Sequence, residues 1–145
     1  MATVSPPWAY TLQLPHDPRA PGIARATLRA VLRAHRMADL TDTAELLASE
    51  LVTNAHRYSQ GPFSLRLRAP EPHRLRLGVR DANPEIPPPF KGALSPPGAD
   101  AERGRGLHLV ELCADRWGAC PLQRGGKLLW VECVQNLECQ WGDLS

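Results

Sequence analysis

Glu50 and Asn54 are the first residues of this chain whose types and spacing suggest chemistry. Four positions apart on a helix, they stack on one side, at the edge of an apolar stripe. A carboxylate and an amide oxygen so placed suit a magnesium-phosphate site: magnesium prefers hard oxygen ligands, and the acid can orient or deprotonate an attacking hydroxyl. Arg57 lies nearby on the following turn. The same spacing also fits an exposed Glu and a solvated Asn on a surface helix.

Asp81 is the second candidate. Strand parity puts it on the face of Leu75, Leu77 and Val79, so its carboxylate points toward the core. A buried acid without a donor is costly, and the exocyclic amine of a bound base would supply one with specificity. Asp81-Ala82-Asn83-Pro84 is equally good turn chemistry, in which the carboxylate bonds local backbone amides as the strand ends. The third candidate is Gly104-Arg105-Gly106, which opens a helix after a breaker-rich stretch. Exposed amides and the positive end of the helix dipole can hold a polyphosphate there, although glycine is also ordinary punctuation before a helix. The combination of the three carries more than any one of them.

The elements that must position these residues are legible as patterns. Ala9 to Leu14 read as a first strand, followed by a proline-rich connection over residues 15–21. From Ile23 to about Arg36, Ile23, Ala26, Ala30 and Ala34 recur at helical spacing, with Leu28, Val31 and Leu32 widening the stripe. Thr41 or Asp42 can cap a second helix carrying Ala44, Leu47, Leu51, Ala55 and Tyr58 and ending near Gly61. Phe63, Leu65 and Leu67 alternate with polar residues, as do Leu75, Leu77 and Val79, which predicts a hairpin of half-buried strands. Between Ala82 and Arg103 six prolines and two glycines exclude a regular element. A loop of that length in a small domain is expected to be a lid or binding loop. A helix follows in GRGLHLVELCADRWG, and two strands, near Trp117 to Leu122 and Lys127 to Val134, close the pattern. The order β, α, α, β, β, loop, α, β, β suits a two-layer α+β sandwich.

The 145 residues, 43% apolar, are expected to form a single domain over 1–145 with its core within about 9–134. A net charge of +2 with the basic residues spread among acids argues against direct nucleic-acid binding. No apolar run is long enough to span a bilayer and the start lacks signal-peptide character, so a cytoplasmic location without membrane contact is expected. Cys113, Cys120, Cys133 and Cys139 form no zinc-like spacing and are expected to be free thiols. Trp117, Trp130 and the cysteines from Cys113 to Cys133 are expected in the core. Lys91 and Lys127 are the only lysines, and the excess of arginine reads as codon bias.

Four segments in order, SELVTNAHRYS, VRDANPEIP, GRGLHLVELCADRWG and GGKLLWVEC, resemble the anti-sigma-factor serine kinases, within the superfamily of gyrase, Hsp90, histidine-kinase and MutL ATPase domains. The resemblance covers roughly Tyr10 to Val134. It implies a histidine-kinase-like (Bergerat) sandwich, about three helices on one face of a mixed, mostly antiparallel sheet, with a lid over about 84–103. It implies ATP and Mg²⁺ as cofactors, Asn54 as the magnesium ligand, and Glu50 as base or water-orienting acid. Asp81 would recognise the adenine amine and Gly104 to Gly106 embrace the phosphates, within a nucleotide-binding set that also takes in Arg57, Asn83, Arg105 and Leu107.

The resemblance further implies an anti-sigma factor that sequesters a sigma factor and phosphorylates a serine on an anti-sigma antagonist, with a homodimer left open. Histidine-kinase activity is not expected, because the first strand leaves no room for a phosphoacceptor domain before it. Two departures stand out. Asn83 and Pro84 occupy a stretch where many relatives carry glycines, and Leu128 and Leu129 stand where a last-strand threonine often shares a water with the adenine. A degenerate nucleotide-binding fold acting only as a protein-binding module is the alternative.

Overall fold

The computed structural model describes residues 6–88, 90 and 108–135. Strand β1, Trp8–Leu14, leads to helix α1, Ala20–Ala34, and a single 3-10 turn at Ala38–Leu40 feeds helix α2, Thr41–Tyr58. Strands β2, Phe63–Glu71, and β3, Arg74–Asp81, form the expected hairpin. A short helix α3, His108–Cys113, precedes β4, Arg116–Pro121, and β5, Lys127–Val134. The sheet order is β1-β2-β3-β5-β4 and every pairing among the described residues is antiparallel, so there the α+β sandwich is realised without a parallel pair.

Alternation along the strands builds the core. Leu65 and Leu67 on β2, Leu75, Leu77 and Val79 on β3, and Leu129, Val131 and Cys133 on β5 are all buried and share the helix side of the sheet. They meet Leu28 and Leu32 of α1 and Leu47, Leu51 and Val52 of α2 in one cluster. Each such side chain contributes roughly 1.5–3 kcal/mol by leaving water. Burial also pushes the Cys133 thiol up to about 12, because the thiolate would be desolvated.

Several sequence expectations need correction. The buried stripe of α1 is Ala20, Ala24, Leu28 and Leu32, which leaves Ile23 exposed, and Tyr58 at the end of α2 is exposed as well. No side chain caps α2: the 3-10 turn delivers the chain already in helical conformation, with Leu40 at the cap position. The expected hairpin holds, turning at Pro72 and His73 between the paired Glu71 and Arg74, with His73 in the left-handed conformation at φ 66°. Trp130 and Cys120 are not core residues. Both sit on the side of the sheet away from the helices, because β5 and β4 present their even-numbered residues there, and Cys120 is exposed. Trp117 packs partly against the core.

Candidate functional site

The site forms where the C-terminal end of α2 meets the C-terminal end of β3. Asn83 clamps the two together: its Nδ2 donates to the Tyr58 carbonyl at 2.8 Å, and the Ala82 N–H donates to Ser59 Oγ at 3.4 Å. Glu50 and Asn54, four residues apart, lie two turns and one turn before the bond at Tyr58 along α2.

Asn54 is buried, and its Oδ1 is shielded from solvent with no hydrogen-bond partner among the described residues. A buried amide oxygen left without a donor costs about 1–3 kcal/mol, so its persistence asks for a ligand. A hard cation fits it: the amide oxygen is a lone-pair donor of the type that magnesium takes. Glu50, one turn earlier, is half-buried, and desolvation holds its carboxyl above the ordinary carboxylate value. A raised carboxyl is better matched to accepting a proton near neutral pH than an ordinary one. Arg57 is exposed, its guanidinium 5.9 Å from the ring centre of Tyr58.

Asp81 points inward as strand parity requires, with its side chain 1% exposed. Its Oδ1 accepts the Asn83 N–H at 2.8 Å, which is the turn chemistry read in the sequence. The same oxygen is bonded by Lys127 Nζ at 3.0 Å, and this buried ion pair is the feature that sequence reasoning missed. Lys127 stands directly opposite Asp81 in the β3-β5 register, and its ammonium also donates to the Asn83 carbonyl at 3.0 Å. The residue facing the acid across the sheet is therefore a lysine, while Leu128 lies opposite Arg80 on the other face and Leu129 is in the core. Asn83 is equally occupied: its Oδ1 accepts the Glu85 N–H at 2.9 Å, so its side chain serves as a brace.

Glycine is required at the turn before Lys127. Gly126 adopts φ +87°, and a Cβ there would collide with the Asp81 carbonyl oxygen. The turn thus presses against the strand end that carries the acid. Within the predicted lid, Phe90 is buried in the core cluster and its N–H donates to the Pro87 carbonyl at 2.8 Å. Gly104, Arg105, Gly106 and Leu107 lie outside the described residues, as do residue 89 and residues 91–103 of the predicted lid.

The structure therefore joins the C-terminal end of α2, one turn beyond Asn54 and two beyond Glu50, to Asp81 and Asn83 at the end of β3, and adds Lys127. Among the described residues no group of three His, Cys, Asp or Glu side chains is placed to hold a metal, so a cation here would lean on the amide of Asn54 and on the phosphates it accompanies. No described helix is long and apolar enough to cross a membrane.

Comparison with known proteins agrees with this architecture. Residues 14–131 match the family described as "Histidine kinase-like ATPase domain". An uncharacterized protein of Streptomyces coelicolor is 38% identical over 72 residues, a stretch that covers 50% of this chain and 64% of that protein. The chain thus matches less than two thirds of that relative's length. The matched family stretch runs from the end of β1 to the middle of β5 and takes in Glu50, Asn54, Asp81 and Lys127, and on that span the chain belongs to the histidine kinase-like ATPase domain family.

Proposed function

We propose that this protein is an ATP-binding regulator of transcription, an anti-sigma factor that transfers phosphate from Mg·ATP to a serine of an anti-sigma antagonist. The observation that carries the reading is the buried Oδ1 of Asn54, which has no hydrogen-bond partner among the described residues and lies one turn from a desolvated Glu50. Asn54 would hold the cation, which screens the charge of the phosphate oxygens when bound. Glu50 accepts the proton of the attacking serine hydroxyl at its carboxylate, and its raised proton affinity favours that transfer. Asp81 would receive the adenine amine at Oδ2, since both recorded bonds fall on Oδ1. The resemblance to anti-sigma-factor kinases supplies the partners: a sigma factor that is sequestered, and an antagonist whose phosphorylation prevents release.

One observation favours a second reading. The Asp81 carboxylate is already neutralised by Lys127. A base entering there gains less from the acid than it would from an unpaired one, which suits a protein-binding module that has lost its nucleotide.

Calorimetric titration with Mg·ATP separates the two. The kinase reading expects binding that Asn54→Ala weakens at least roughly tenfold, the scale of one lost charge-assisted contact. It also expects Glu50→Gln to bind Mg·ATP normally while transferring labelled phosphate to the antagonist roughly 100-fold more slowly or worse. No heat of binding for the unaltered protein supports the module. Equal transfer by both forms removes Glu50 from the mechanism.

A further inference from the structure

The helices cover one face of the sheet, and among the described residues no helix or strand packs on the other. The pairing register collects arginines on that open face. Arg66 and Arg68 of β2, Arg74, Arg76 and Arg80 of β3, and Arg116 of β4 all share it, since Arg68 pairs with Arg76, Arg76 with Glu132, and Glu132 with Arg116. Among the described residues two acids oppose them. Glu132 is buried beneath Arg74, Arg76 and Arg116, with Arg76 Nη2 at 2.6 Å, and Glu71 forms an ion pair with Arg74 Nε at 2.9 Å. Arg66, Arg68 and Arg80 have no carboxylate within ion-pairing distance among the described residues.

We propose that this open face, centred on Arg66, Arg68 and Arg80, docks an extended acidic segment of a partner protein. Like guanidinium charges would be set against one another if a second copy used the same face, so self-association through it is disfavoured. Nucleic acid is a poorer match. Single strands bind on exposed aromatic planes, and the one tryptophan on this face among the described residues, Trp130, lies against Gly118 with the Arg76 guanidinium 4.2 Å above its ring. A net charge of +2 also gives little long-range pull on a phosphate backbone. Carboxylates match the planar guanidinium fork two bonds at a time. Arg66 and Arg68 project from one face at the two-residue repeat of a strand, roughly 6.5–7 Å, which is also the spacing of alternate side chains in an extended peptide. A segment with an acid at every second position would place its carboxylates over them and over Arg80 on the adjacent strand.

The test measures fluorescence anisotropy of a labelled peptide of alternating Glu and Ser with the full chain at low salt, where such contacts are least screened. The expected result is saturable binding that Arg66→Glu, Arg68→Glu and Arg80→Glu together weaken at least tenfold. Arg25→Glu, Arg33→Glu and Arg36→Glu together make the same change in net charge away from this face and should leave binding within twofold. If the glutamate variant does not fold, Arg66→Gln, Arg68→Gln and Arg80→Gln together are expected to weaken binding several-fold. Equal loss in both charge-reversed sets, or absence of binding, overturns the proposal. So does a thymidine oligonucleotide of equal charge that binds as tightly through the same arginines. Asn54→Ala should leave peptide binding unchanged, so failure of this proposal and failure of the nucleotide reading remain distinct.

Discussion

Asp81 and Lys127 show how an inward acid can find its partner within the fold itself. An ion pair with both side chains 1% exposed has forfeited the hydration of two charges, and their attraction only roughly repays that loss. Removing one partner is far worse than removing both. Lys127→Met strands a buried carboxylate and is expected to cost about 3–5 kcal/mol in urea unfolding, with much of the loss recovered in the double variant Asp81→Asn, Lys127→Met. Glu50 behaves differently. Desolvation raises its carboxyl, so the folded protein binds that proton more tightly than the unfolded chain. The stability it contributes is full below the ordinary value of 4.5 and is lost as pH rises through the raised one. Glu50→Gln should therefore match the unaltered protein at acid pH and exceed it in melting temperature near neutrality. Equal pH profiles would show that Glu50 is not desolvated.

The elements were legible wherever a period ran long enough. The alternation of Leu65 and Leu67 with Arg66 and Arg68, and the repeat through Leu47, Leu51 and Ala55, place β2 and α2 from the sequence alone. The relation of Glu50 to Asn54 followed, because it depends only on helical spacing. Lys127 was not legible. Its partner lies 46 residues away, and no local pattern reveals which residue of β5 will face the end of β3. The arginine face escaped for the same reason: alternation marks each arginine as solvent-facing, but only the pairing shows that β2, β3 and β4 turn theirs to one side. The 3-10 turn at Ala38–Leu40 is too short to carry a period at all. The β4-β5 turn packs against the strand end that carries Asp81. Gly126→Ala would force a side chain into the Asp81 carbonyl at a left-handed φ. A loss of roughly 1–3 kcal/mol is expected, with weaker Mg·ATP binding if the base pocket uses Asp81. An unchanged melting temperature would show that the turn can relax away from the strand.

At the scale of the whole molecule, the ends of the sheet divide the labour. One end holds Asn54, Asp81 and Lys127. The other is tied by Gln135, whose side chain accepts from or donates to three separate parts of the chain: His73 Nδ1 at 2.8 Å, Asp39 Oδ1 at 2.6 Å and the Arg36 carbonyl at 3.4 Å. Its backbone N–H also bonds the His73 carbonyl. Gln135→Leu leaves these part-buried groups unmatched and should lower the unfolding free energy by roughly 1–3 kcal/mol, while Mg·ATP binding at the opposite end stays the same. A parallel loss of nucleotide affinity would show that the two ends are coupled. Between them lies the stacked pair of Trp130 and Arg76, and its position gives the molecule an intrinsic optical reporter. Trp8 and Trp117 turn toward the helices, whereas the indole of Trp130 has a cation resting on its ring at the outer surface. Any visitor that draws that guanidinium aside changes the field around the indole, and so the colour and brightness of its emission, without a label being attached.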